Sequence, residues 1–425
     1  MTFETAAPEI NRAPDASDGA TIITPQTRET ALRGTPLFFR LMANVFDRLS
    51  YGSIVCHLPD GRVVKFDSGN HSEETATFLI RNYAVARRSL LGGAIGFYES
   101  YEADQWDSPD LAQTLYVMAQ NVDGMQQELA ANPVVRTVNN VLHAVNKNTK
   151  EGSKRNIMAH YDLGNAFYEK WLDPSMTYSS ALYAEPGQPL DQAQTEKYAS
   201  LARRIDLKAG ETVLEIGSGW GGFAEFAARE VGARVTGVTI SPEQYNYACE
   251  RMQRAGLNDK VEIRLQDYRD VQGSFDKIAS IEMFEAVGKE YWPTYFGKVR
   301  ENLKSGGLAG LQVITIADHL YPYYEKAADF IQRYVFPGGM LPSPQIMADQ
   351  SRRAGLSLVD THSFGQDYAQ TLKTWHESFL HAWDDIQAIG FDERFKKLWR
   401  YYLAYCEAGF RAGTTDVSHY TLARA

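Results

Sequence analysis

The apolar residues change their period partway along the chain, and that change divides it. Between about residues 30 and 135, short strand-like runs such as GSIVCHLPDGRVVKF alternate with helical ones. TPLFFRLMANVFDRL sets Leu37, Phe38, Leu41, Val45 and Leu49 at helical spacing, with Arg40 and Arg48 between them. Such a stripe belongs either to a helix packed on a core or to one that touches a lipid surface, aided by its arginines. NKNTKEGSKRN, at 146–156, is polar and lysine-rich and reads as a connection. Beyond it strand and helix patterns alternate, as they do in a parallel sheet with crossover helices. No internal repeat is visible. The expected organisation is a disordered tail at 1–28, a smaller N-terminal α+β domain at 29–138, a linker at 139–156 and a doubly wound α/β domain at 157–425.

Composition narrows the function. The chain has 425 residues, 44% hydrophobic and 23% charged, enough for a large core. Its net charge of −10 argues against nucleic acid as a partner. Cys56, Cys249 and Cys406 are odd in number and far apart, which suits a reducing cytoplasm and suggests neither a disulfide framework nor a zinc cluster. The scattered histidines have no ligand spacing, so no metal is expected. The opening segment lacks an apolar signal core, and no apolar run approaches the roughly 18–20 residues that span a bilayer. A protein of this kind that works on lipid visits the surface.

ETVLEIGSGWGGFAEFAAREV carries the most chemistry. Val213, Leu214 and Ile216 form a short buried strand, followed by Gly217, Gly219 and Gly221 and then a helix rich in Ala and Phe. Glycines there let backbone turn sharply and approach a ligand. A dinucleotide site, a methyltransferase site or a plain tight turn would each fit. The G-x-G-x-G spacing behind Glu215 resembles motif I of S-adenosylmethionine (SAM) methyltransferases, which makes Glu215, Gly217, Ser218 and Gly219 candidates. The next strand, ARVTGVTI, ends in Thr239 and Ile240 where many SAM enzymes carry an acid, so Gln244 is the nearest polar candidate for the ribose. VEIRLQDYRD ends in Tyr268 and Arg269; the ring can cover an adenine or simply pack.

A resemblance then becomes specific. HYDLGNAFYEKWLDPSMTYSSALY, EIGSGWGG, VTGVTISPEQ, EMFEAVG, YVFPGGMLPSP and FGQDYAQTLKTWHESF occur in the order of the cyclopropane fatty acid synthase and mycolic acid methyltransferase family, over about residues 155–415. GGAIGFYESYEADQWD is similar to the extra lipid-associated domain of the bacterial synthases. The resemblance implies a Rossmann-like fold and transfer of a methylene or methyl group from SAM to a double bond in a phospholipid acyl chain, at the inner membrane face. It leaves a homo-oligomer such as a dimer open. It implies that Tyr178 and Ser179 contact SAM, with Gly217 and Gly219, Ile240 and Gln244, and Tyr268 and Arg269 around it. It further implies a bound bicarbonate that removes the proton released on ring closure. Among its expected ligands, Glu285, Tyr368 and Ile316 match the family's pattern, the isoleucine acting through its backbone. Two positions depart: the usual cysteine is Ser180, and the usual histidine is Ile314, with Gln312 the nearest polar substitute on that strand face. A weakened base would leave a methyl-branched, uncyclised product as the alternative to a ring, and a non-catalytic lipid-binding relative as the remote one. Rings of the YPYYEKAADFIQRYVF segment are candidates to face a carbocation, or to be ordinary core. Cys406 matches a family cysteine sometimes called catalytic, although sulfonium methyl transfer needs no thiolate. His160 matches the family in a structural role.

Overall fold

The computed structural model describes residues 19–122, 124, 163–326 and 328–425. The expected linker and His160 lie outside the described residues. The chain forms two compact units.

The first unit is built on strands β1 (Thr21–Ile22), β2 (Ser53–His57), β3 (Val63–Asp67), β4 (Thr75–Ile80) and β5 (Trp106–Asp107), in the order β1-β3-β2-β4-β5. Strand β4 alternates cleanly, with Ala76, Phe78 and Ile80 inward. Helix α1 (Leu37–Phe46) packs here, but its stripe is rotated from the expected one. Phe39, Met42, Ala43, Val45 and Phe46 are buried, whereas Leu37 is 68% exposed. The segment is apolar in two helical registers. The sheet selects one of them, because Phe46 meets Phe66 and Phe78 at ring distances of 5.4 and 6.2 Å. A second correction concerns the expected tail: Thr21 and Ile22 pair in parallel with Val64 and Lys65.

The second unit holds β6 (Thr212–Ile216), β7 (Arg234–Thr239), β8 (Val261–Leu265), β9 (Phe275–Ile281), β10 (Leu303–Ile316), β11 (Ser357–Ser363) and β12 (Thr415–Ala423). Their order is β11-β12-β10-β9-β6-β7-β8. Strands β6 to β10 run parallel, and β12 is antiparallel to both β10 and β11. Alternate residues of β6 enter opposite cores. Leu214 and Ile216 join Trp292, Tyr295, Phe296 and Val299 on one face, while Val213 joins Phe223, Ala224, Ala248 and Met252 on the other. The sheet is therefore doubly wound, a mixed α/β fold of Rossmann-like type. The chain leaves β6 toward β7 and β8 and returns on its other side as β9, so the strand order reverses between β6 and β9. Ligands of such sheets sit at the carboxyl ends of the strands flanking this reversal.

Candidate active site

The glycine loop lies at that point. Gly217 has φ +83°, and the N–H groups of Gly217 and Ser218 both donate to Val238 O, at 3.0 and 2.9 Å. A Cβ on Gly217 would lie 2.6 Å from Met283 Cγ, whereas one on Gly219, at φ +52°, would meet open space. Beside it, Glu215 Oε2 and Ser218 Oγ are buried without a partner. Burial pushes the Glu215 carboxyl up to about 8, against the pull of Arg251 and Lys197. Orphaned buried polar atoms next to an open glycine fit a polar ligand. At the end of β7, Thr239 Oγ1 donates to Gln244 Oε1 at 2.9 Å, and Ser241 caps helix α2 (Pro242–Ala255) through the Gln244 N–H. Ile240 stands 54% exposed at the same strand end. After β8, Tyr268 packs edge-on against Tyr295 at 5.6 Å, and Arg269 pairs with Asp267 at 2.6 Å.

The Tyr178–Ser180 segment is no plain surface turn. The Tyr178 ring lies among Tyr168, Trp171 and Trp375, at 5.2, 5.7 and 5.2 Å, and its hydroxyl pairs with Tyr402 OH at 2.8 Å. Ser179 Oγ accepts from Lys197 Nζ at 2.6 Å, and its carbonyl accepts from Gln194 Nε2 at 2.9 Å. Lys197 is fully buried, which pushes it down to about 7 against the opposing pull of Glu282, Asp173 and Glu215. Sequence reasoning passed over this residue; a lysine in the buried stripe of helix α3 (Leu190–Arg204), beside Ala193, Tyr198 and Leu201, was the available signal.

The acidic centre differs from the expected one. Ser180, Gln312 and Tyr368 do not gather around Glu285. They converge on Glu282, the first residue beyond β9. Glu282 Oε1 accepts from Ser180 N at 2.8 Å and Gln312 Nε2 at 2.7 Å, and Oε2 accepts from Tyr368 OH at 2.7 Å. Gln312 is held in turn by His419 Nε2 at 3.0 Å, from the register position opposite it on β12. Glu285 Oε1 instead accepts from the Ile314 N–H at 2.6 Å, and its Oε2 is buried without a partner. Burial, and then the nearby Glu282, push Glu285 up to about 8, so it holds its proton at neutral pH. Glu282 was visible three residues earlier in EMFEAVG, but two acids in one motif do not say which the fold will turn inward.

Other expectations shift as well. Ile316 gives its N–H to Pro342 O at 3.0 Å, so it has none to offer an anion. Burial, with Asp329 and Glu282 nearby, pushes the Cys406 thiol upward, away from the thiolate a nucleophile needs. The rings of 321–336 pack mainly elsewhere: Phe330 lies against Tyr401 at 4.8 Å and Tyr323 is 66% exposed, although Phe336 reaches Tyr402 at 6.1 Å. The residues present fit SAM through Glu215, Ser218 and the open side of Gly219. They do not fit bicarbonate, because a side-chain carboxylate already takes the donors expected to hold it.

A doubly wound sheet with its glycine loop at the strand reversal and an orphaned acid at the end of β6 is the architecture of a Rossmann-like nucleotide-cofactor protein, and its likeness to solved cyclopropane synthases makes the class that of the SAM-dependent methyltransferases. The chain belongs to the family described as mycolic acid cyclopropane synthetase, matched over residues 148–420. It is 40% identical over 357 residues to tuberculostearic acid methyltransferase UfaA1 of Mycobacterium tuberculosis, covering 82% of this chain and 83% of that protein. It is 37% identical over 344 residues to the cyclopropane-fatty-acyl-phospholipid synthase of Escherichia coli K12, covering 79% and 85%. Among solved structures it is similar to the cyclopropane synthase MmaA2 of M. tuberculosis, with a TM-score of 0.60 at 28% identity over 64% of this chain and 98% of that one. It is similar also to the mycolic acid cyclopropane synthase CmaA1 complexed with SAH and CTAB, with a TM-score of 0.59 at 28% identity over 63% and 97%. The protein is a SAM-dependent lipid methyltransferase. Among the described residues no helix is long and apolar enough to cross a membrane.

Proposed function

We propose that the protein transfers the methyl group of SAM to the double bond of an unsaturated phospholipid acyl chain and closes a cyclopropane ring there. The observation that carries this reading is a wall of rings, the buried Trp375 and Tyr402 with the partly buried Tyr178, ending on a hydrogen-bonded carboxylate beside the glycine loop. SAM, when bound, supplies an electrophilic methyl on a sulfonium. Glu215, Ser218, Thr239 and Gln244 are the polar groups at the strand ends that would hold it, with Gly217 and Gly219 giving close backbone approach and Ile240, Tyr268 and Arg269 at the rim. Ring faces attract the positive charge that develops on the methylated chain, by about 0.5–2 kcal/mol each. Burial holds the Tyr178, Tyr368 and Tyr402 phenols well above their ordinary range, so they stay neutral and do not trap the cation as phenolates. The same burial keeps out water, which would capture it.

A second reading, a methyl-branched uncyclised chain, is favoured by Ile314 in the family's histidine position and by the filled anion place. The relatives' names point both ways, one to a methyltransferase and one to a cyclopropane synthase. The N-terminal unit is proposed as the lipid-associated part, bringing a cytoplasmic enzyme to the inner membrane face. The test is product structure. Protein, SAM and liposomes of monounsaturated phospholipid are incubated, and the released acyl chains are analysed by gas chromatography–mass spectrometry before and after mild hydrogenation. A chain about 14 mass units heavier that resists hydrogenation supports the ring; one that takes up hydrogen supports the branched alkene. No transfer from SAM overturns both.

A further inference from the structure

Three donors from three separate elements meet one carboxylate: the Ser180 N–H from the loop before α3, the Gln312 amide from β10 and the Tyr368 hydroxyl from helix α4 (Gly365–His381), all within 2.8 Å of Glu282. Such an array is a receptor for a small anion, and the chain has filled it with its own side chain. Backbone conformation adds an independent observation. Glu282 has φ +48°, in the left-handed region that a residue with a Cβ occupies at a cost of about 1–2 kcal/mol. Glycine would take that position freely. The strain is sustained by the Glu282 N–H bond to Gln312 O at 2.9 Å and by the three bonds to the carboxylate. Burial and then Glu282 raise the Glu285 carboxyl, three residues on. Burial raises Glu282 as well, but the Tyr368 hydroxyl, Lys197, the Ser180 N–H and Gln312 all pull it back, so of the two acids Glu282 is the one whose charge its neighbours stabilise.

Resting on the alkene-methylation reading above, we propose that Glu282 is a built-in base that stands where a bicarbonate would act, so that turnover needs no added anion. Once the chain carries the methyl group and a positive charge, a C–H bond of the new methyl, or of the neighbouring carbon, breaks. Its electron pair closes the ring or forms the alkene, and its proton goes to a Glu282 oxygen, leaving a neutral carboxylic acid. Gln312, steadied by His419, and Tyr368 orient the carboxylate and are positioning residues.

The experiment uses the full chain, SAM and vesicles of dioleoyl phosphatidylglycerol in buffer stripped of carbon dioxide. The wild-type rate is expected to change less than about twofold when bicarbonate is added, while Glu282→Gln loses about 100-fold with SAM affinity unchanged by calorimetry. Glu282→Gly vacates the place without straining the backbone, and added bicarbonate or formate is expected to raise its rate at least about tenfold. A wild-type rate that climbs with bicarbonate, or a Glu282→Gln enzyme that keeps its rate, overturns the inference while leaving lipid methylation standing. Where either variant melts early, the wild-type bicarbonate titration alone decides. A wild type that transfers no methyl overturns the methylation reading and this inference with it.

Discussion

Single atoms decide whether this site works. A Cβ on Gly217 would sit 2.6 Å from Met283 Cγ, on a backbone at φ +83°. Gly217→Val is expected to weaken SAM binding at least about 100-fold by calorimetry, because loop and strand cannot both keep their places. Unchanged affinity would put the cofactor elsewhere. Glu285 makes a different prediction, about pH. Its carboxyl is raised from 4.5 to about 8, with burial the main cause. Folded chain holds this proton where unfolded chain has released it, so the stability it contributes is full below 4.5 and is lost as pH rises toward about 8. Glu285→Gln carries no such titration. Between about pH 5.5 and about 7.5 its melting temperature should therefore fall less than that of the wild type. Glu215, Lys197 and His419 are common to both proteins and cancel in the difference. Parallel curves would mean that Glu285 is ionised in the fold.

Helices set the aromatic wall. Trp375 on α4 has no exposure and touches Tyr178, Trp171 and Tyr368, at 5.2, 5.9 and 6.1 Å. Trp375→Ala should cost about 3–5 kcal/mol in chemical denaturation, through both lost burial and the cavity left behind. Trp375→Phe keeps a ring face and should recover most of the turnover that Ala loses, whereas equal turnover in the two variants would remove the ring from the reaction. Helix α1 carries the opposite kind of residue. Leu37 is 68% exposed while the rest of its apolar stripe faces the sheet. If the N-terminal unit meets lipid through this end, Leu37→Glu should reduce vesicle co-sedimentation about tenfold, with no change in melting temperature. Unaltered co-sedimentation would move the lipid contact to another surface.

Across the whole molecule, what the sequence alone makes legible follows from short-range rules. The strand–glycine–helix unit at 212–226, the alternation of strand and helix after it, and the family's ordered blocks all depend on residues close in sequence, and the doubly wound sheet follows from them. Local patterns carried the glycine loop and the polar strand ends for the same reason. They could not choose between the two apolar registers of α1, because both are helical and only the sheet beneath discriminates. Nor could they choose between Glu282 and Glu285. That choice rests on a left-handed residue after β9, on donors more than a hundred residues away at Ser180, on the register that sets His419 opposite Gln312, and on Tyr368 reaching in from α4. Chemistry-bearing residue types are a property of the chain, whereas the carboxylate that becomes the anion is selected by packing, since desolvation is relieved only where distant donors happen to converge.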